Sequence, residues 1–365
     1  MARGPAGPRT LVTGAGGIAG VNFVRALRAS NRRYYIVGTD YNRFHLEYPD
    51  VDTRYRTPRH DDRGFVSRVN QIVKEEAIDF VHPQPSSEAL VISSRRADIG
   101  ARVFLPPAAL MKKAQDKLLA QRALAGSKVP VAATRSLRGV RDISAAFAEM
   151  GHPLWIRARH GAGGRLSLLC NTAQEAEHWA GLWRLRGVRM NELILQEYLP
   201  GRNVAWDSIW REGRLITSYA RERLEYPFKH ISPSGITGTP SVARAIHDDE
   251  VNQVAMKAVR AFGDRPNGAF SVDLKGSSSG TFCVTEVDAG KFHSTMPLWG
   301  YAAVTVLGLP WYANLADLYV RIGLGEKVTD SVPQLNLIPD GYYILRDMDV
   351  GAFLWREDGW KRKLL

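Results

Sequence analysis

Cysteine is almost absent from this chain: 365 residues include only two, Cys170 and Cys283. They lie far apart, each in an apolar run, with no Cys-x-x-Cys spacing. That argues against a disulfide framework or a thiolate zinc site, and a reducing, cytoplasmic setting is expected. The apolar core of a secretory signal is also missing from Met1-Ala2-Arg3-Gly4-Pro5-Ala6-Gly7-Pro8, and residues 1–8 read as a disordered lead-in. One uncharged run, Ser294 to Ala316, is long enough to cross a bilayer. Pro297, Gly300, Gly308 and Pro310 interrupt it, and Ser, Thr and Asn dilute it. Two short buried elements meeting at Gly308-Leu309-Pro310 are expected there, with no membrane partner. Internal repeats and low-complexity tracts are lacking too.

What is present is ordinary globular composition, 45% hydrophobic and 24% charged, sufficient for two or three domains with real cores. Lys and Arg outnumber Asp and Glu by 49 to 37, a net charge of +12, so anions are expected partners. The basic residues are spread along the chain without a basic helix, zinc finger or stacking-aromatic motif. Phosphorylated small molecules account for the excess without nucleic acid.

The first hundred residues alternate strands (Arg9 to Thr13, Tyr34 to Gly38, Phe80 to His82, Arg102 to Leu105) with helices (Ile18 to Ala29, Arg63 to Glu76, Ser86 to Arg96). This is the rhythm of an open parallel α/β sheet. Its first turn carries Gly14, Gly17 and Gly20, and Asp40 ends the second strand, a pattern open to an NAD(P)-binding oxidoreductase reading. The Tyr-x-x-x-Lys of short-chain reductases is missing. His82, Gln84 and Glu88 follow a parallel strand end, where open sheets bind ligands, and His82 and Glu88 are candidate substrate residues.

After Pro106-Pro107 the pattern changes. One helix is expected from Leu110 through Asp116 and Lys117 to about Gly126. A strand, Pro153 to Arg157, leads into a glycine-rich hairpin with Gly161, Gly163 and Gly164, whose backbone N–H groups can cradle anionic oxygens. A second strand, Leu166 to Leu169, and a helix, Thr172 to Trp183, follow. Next comes a buried strand running into Gln196-Glu197-Tyr198-Leu199-Pro200-Gly201, and then two antiparallel strands, Asn203 to Asp207 and Arg214 to Arg223.

Two further strands flank the loop Gly276 to Gly280. The first carries Asp273, the second Glu286 and Asp288. Residues two apart on a strand share a face, so three carboxylates converge unless something cationic separates them. Hard oxygen donors suit Mg²⁺, with Mn²⁺ as the alternative ion. Arg221 and Arg223 share a strand face by the same rule. With the loop holding Lys229, His230, Ser234 and Gly235, they are expected to form the acceptor region.

These pieces, in this order, resemble the ATP-grasp superfamily, its carboxylate–amine ligases and carbamoyl-phosphate-synthase-like branch in particular, from about Leu11 to Glu326. The resemblance implies a mixed α/β and α+β architecture. An open parallel pre-ATP-grasp domain (9–108) would precede a small lobe with the glycine flap (109–190) and a large lobe with the metal site (191–327). Residues 328–365 would form an appendage, dimer contact or lid, and a homodimer stays open. It also implies that Lys117 and Arg157 hold ATP phosphates under the flap, that Gln196, Glu197, Tyr198 and Leu199 recognise adenine, and that Asp273, Glu286 and Asp288 hold Mg²⁺. The glycine turn becomes cleft architecture.

Several positions depart from the family. Arg157 stands where lysine is common, Asn203 where a glutamate often holds ribose, and Asp288 where asparagine is common. After Asp288, Ala289-Gly290-Lys291-Phe292-His293 replaces the usual Asn-Pro-Arg, leaving Lys291 or His293 to substitute for the arginine. Arg157, Arg223 and Lys291 are the expected catalytic cations. The implied reaction is ADP-forming ligation of a small-molecule carboxylate to an amine through an acyl phosphate. Use of a non-amine acceptor, a non-catalytic nucleotide-binding protein and the oxidoreductase are the alternatives.

Overall fold

The computed structural model describes residues 7–161 and 163–365, so most of the expected lead-in, and Ala162 of the flap, lie outside the described residues. Three sheets organise the chain in sequence order. The first comprises β1 (Arg9–Thr13), β2 (Tyr35–Asp40), β3 (Thr53–Arg56), β4 (Phe80–Pro83) and β5 (Arg102–Val103), all parallel, in the order β3-β2-β1-β4-β5. Strands β1 and β4 are central and almost wholly buried, as strands of a parallel sheet covered on both faces are. The edge strand β3 was not legible: Thr53-Arg54-Tyr55-Arg56 alternates half-buried and exposed side chains without an aliphatic residue.

The chain winds from β1 outward to β3, then returns past β1 to β4. The loops after β1 and β4 therefore flank a topological switch point, the usual ligand crevice of such sheets. The glycine turn is shaped by close approach. Gly14 has φ +59°, and a Cβ there would lie 2.2 Å from the Pro85 ring.

The second sheet holds β6 (Thr134–Ser136), β7 (Leu154–Ala158), β8 (Leu168–Cys170) and β9 (Leu193–Glu197), antiparallel in the order β6-β9-β7-β8. Helices Val140–Met150 and Ala173–Leu185 supply its apolar cover. Strand β9 belongs to this sheet because its buried Leu193-Ile194-Leu195 run is paired on both edges. The small sheet thus extends past the expected boundary at 190.

The third sheet is antiparallel, in the order β14-β13-β10-β11-β12-β15-β16-β17. Its strands are β10 (Asn203–Arg211), β11 (Arg214–Glu225), β12 (Val242–Ile246), β13 (Gly268–Gly276), β14 (Phe282–Ala289), β15 (Tyr343–Asp347), β16 (Gly351–Trp355) and β17 (Lys361–Lys363). Period-two alternation divides its faces. Val204, Trp206, Phe270, Val272 and Leu274 pack on helix Asp249–Arg260. The opposite face carries Asn203, Asp207, Arg221, Arg223, Ser271, Asp273, Glu286 and Asp288. The C-terminal residues extend this sheet, since Val242 pairs with Leu345 and Ala243 with Ile344. No helix among the described residues is long and apolar enough to cross a membrane; Ser294 to Ala316 contains helix Met296–Thr305 and then a short 3-10 turn, Trp311–Ala313.

The single helix expected through Asp116 is in fact two, Ala108–Gln115 and Lys117–Gly126. Asp116 adopts an extended conformation and caps the second helix, accepting from the Leu118 and Leu119 N–H groups. Arg159 donates to both of its carboxylate oxygens, tying the break to the end of β7. Asp116→Ala should cost about 1–2 kcal/mol from the lost cap plus the lost Arg159 pair, read as a lower urea midpoint at unchanged slope.

Candidate active site

The polar face of the large sheet looks across a cavity of about 490 Å³ at the small sheet. That volume is in the range of sites that enclose a cofactor-sized ligand. Its walls come from all three sheets: the glycine turn with Gln84, Pro85 and Ser86; Trp155, Arg157 and Gln196 to Leu199; and the carboxylate face.

The register of β13 with β14 sets Asp273 opposite Glu286 and Ser271 opposite Asp288, with a bulge after Asp273. Each carboxylate meets a cation from another element or turn. Arg223 holds Asp273 through two hydrogen bonds, 2.5 and 3.0 Å. Glu286 lies 3.2 Å from Lys117 Nζ and 3.1 Å from Arg157 Nη2. Asp288 lies 3.1 Å from Lys291 Nζ and 3.1 Å from His293 Nε2. Burial works against the charges of Asp273 and Asp288. Arg223 and His293 for the first, and Lys291 and His293 for the second, outweigh it and hold both carboxyls below the ordinary range. Burial likewise opposes the Lys291 charge, but Asp288 and Glu286 win and raise its pKa. Among the described residues, no three His, Cys, Asp or Glu side chains form a preassembled metal cage.

Behind this layer is a second ionic pair. Arg221 and Asp207 contact each other with essentially no solvent exposure, and Ser271 Oγ donates to Asp207 Oδ1 at 2.6 Å. Burial drives the Arg221 pKa down to about 9, still charged at neutral pH, with Arg223 pushing the same way. His293 bridges the layers, its Nδ1 3.2 Å from Asp207. Burial is its largest influence and lowers its pKa despite the neighbouring carboxylates.

At the other end, Gln196 donates to Thr134 Oγ1 at 2.9 Å, and Leu199 is buried with Ala132 and Cys283. Tyr198 stands beside Trp155, ring centroids 6.3 Å apart. Asn203 donates to the Tyr226 hydroxyl at 3.1 Å. The glycine hairpin approaches the 232–238 loop: a Cβ at Gly164 would lie 2.9 Å from the Ile236 carbonyl oxygen.

Most residues singled out from sequence meet here. Arg157, Gly163, Gly164, Gln196, Glu197, Tyr198, Leu199, Asn203, Arg221, Arg223, Asp273, Glu286, Asp288, Lys291 and His293 line the cavity. Lys117 sits behind the wall on Glu286, and its ammonium also donates to the Gly161 carbonyl. Others do not reach the wall. His82 is fully buried and stacked on Phe23 at 3.8 Å, and burial drives its pKa to about 4, so it is a neutral core residue. Lys229 and His230 form an exposed 3-10 turn, and Ser234 and Gly235 lie beyond the cavity lining. Asp207, Lys275 and Thr239 were missed. The alternation that joined Arg221 to Arg223 also places Asp207 and Lys275 on the Asp273 face.

Glu88 is buried beside the glycine turn, with Oε2 unpartnered among the described residues. Burial raises its pKa to about 7, Thr13 opposing and Asp40 adding to the shift. An acid raised on folding contributes stability that is intact below its unfolded pKa and lost as pH climbs through the folded one. The window is therefore pH 4.5 to about 7. Glu88→Gln should remove this slope and stabilise the protein by about 2–3 kcal/mol at pH 8 relative to pH 4.5, read from denaturation at both pH values.

No protein-family model matches the sequence, and no curated protein does. Solved structures match nearly its whole length. The Staphylococcus aureus N5-carboxyaminoimidazole synthetase complexed with ADP superposes with TM-score 0.69 at 15% identity, over 93% of this chain and 82% of that one. The biotin carboxylase domain of Hydrogenobacter thermophilus 2-oxoglutarate carboxylase, with MgADP and bicarbonate, gives 0.68 at 16%, over 93% and 74%. The L-amino acid ligase of Bacillus licheniformis gives 0.64 at 14%, over 93% and 79%. The chain has the ATP-grasp fold. In this ATP-grasp framework the glycine turn forms one wall of the shared cavity.

Proposed function

We propose that this chain is an ATP-dependent, ADP-forming ligase that activates a small-molecule carboxylate and couples it to an amine. The observation that carries the reading is the cavity whose wall holds three carboxylates of one sheet face, each paired with cations drawn from three separate elements and the turn after β14. Neighbours of the same fold, described with ADP or MgADP and including an amino acid ligase, support it.

The residues fit a metal–nucleotide. Asp273, Glu286 and Asp288 offer only hard oxygen donors, and Mg²⁺ commonly takes one or two carboxylates and completes its shell with phosphate and water. Bound there, Mg²⁺ would neutralise charge on the transferring phosphoryl group. Lys117 and Arg157 can leave Glu286 to hold phosphate oxygens, and the arginine fork suits them. Arg223 and Lys291, at the inner end of the same face, would orient the substrate carboxylate. Its oxygen takes the γ-phosphoryl group, giving acyl phosphate and ADP. The amine nitrogen then bonds to the acyl carbon as inorganic phosphate leaves. Closure of the flap on the 232–238 loop would exclude water, which otherwise hydrolyses the acyl phosphate.

The test is a panel of carboxylic and amino acids with Mg²⁺, ATP and hydroxylamine as the trapping amine. ADP release and hydroxamate formation should rise together and only with a suitable carboxylate. ADP release indifferent to every carboxylate, without hydroxamate, would remove the ligase assignment.

A further inference from the structure

Lys275 is a cavity-wall cation that the proposed reaction does not use. It lies two residues beyond Asp273 on β13, opposite Asn203 of β10. Two residues of strand span about 6.6 Å, which carries it away from the carboxylates toward the segment Gln196 to Leu199. Its ammonium sits 5.0 Å from the centre of the Tyr198 ring. The side chain is half-buried, and burial, with no charged partner contributing, lowers its pKa. Among the described residues no carboxylate forms an ion pair with it, whereas every other cation named in this cavity has one.

An ammonium has three donors and no acceptor. Placed at the Tyr198 end it can satisfy a carbonyl oxygen on a base and cannot accept from an exocyclic amino group. Glu197, also on the wall, supplies acceptor oxygens, one of them already taking the Ala133 N–H at 3.3 Å. Resting on the nucleotide reading above, we propose that Lys275 reads the purine base by donating to an acceptor at its six-position edge, so that the site takes 6-oxopurine nucleotides alongside adenine nucleotides.

The experiment is calorimetric titration of the full chain with MgADP and MgIDP, for the wild type, Lys275→Met and Lys275→Arg. Methionine keeps the unbranched stem and removes the donors. The ratio of IDP to ADP affinity should fall by about tenfold in Lys275→Met and recover substantially in Lys275→Arg. A fold defect lowers both affinities together and leaves the ratio unchanged. An unchanged ratio in Lys275→Met, with ADP still bound by the wild type, overturns the base-reading role alone. Failure of the wild type to bind either nucleotide overturns the nucleotide reading with it.

Discussion

Alanine at Glu286 is expected to lower carboxylate-dependent ADP release by about 10²–10³-fold, the usual cost of removing a group that stabilises transition-state charge. Glu286 of the large sheet meets Arg157 of the small sheet and Lys117 of helix Lys117–Gly126, both of which converge on it. Removing it takes away a proposed metal donor and leaves a buried lysine facing an arginine. Glu286→Gln separates the effects, because it keeps the shape and one oxygen while deleting the charge. A large rate loss in Glu286→Gln with a near-normal urea midpoint would place the defect in chemistry. Near-normal turnover in Glu286→Ala would remove Glu286 from the metal site.

The second large effect concerns stability. Asp207→Ala should cost about 3–5 kcal/mol because Arg221 is left charged and buried without its partner. The Ser271 hydroxyl and one face of His293 also lose a partner. The double variant Asp207→Leu with Arg221→Met should cost clearly less than the single, since replacing both charges avoids the unpaired one. Urea denaturation of both variants measures this. A single-variant cost under about 1 kcal/mol, in the range of a surface ion pair, would mean that solvent reaches the pair.

The sequence disclosed what periodicity and glycine spacing can carry. The central strands of the parallel sheet and the β13–β14 hairpin appear close to where the strand pattern places them. The three carboxylates share a face because two is the period of a strand, and that arithmetic survives folding. Three features were hidden for identifiable reasons. Asp116 breaks a helix whose composition favours continuity, because its tertiary partner Arg159 is remote in sequence. The edge strand β3 has no aliphatic residue to signal it. His82 looked like a ligand at a strand end, yet Phe23 and Gln84 enclose it.

The most direct test compares thermal unfolding of the full chain with Mg²⁺ and ATP, with ATP and a chelator, and with NAD(H). A ligand at a hundred times its dissociation constant stabilises by about 2.7 kcal/mol, or roughly a few degrees for a protein of this size. A rise that needs both Mg²⁺ and ATP is the expected result. A rise with NAD(H) alone would contradict the account and make the glycine turn at Gly14 the cofactor site.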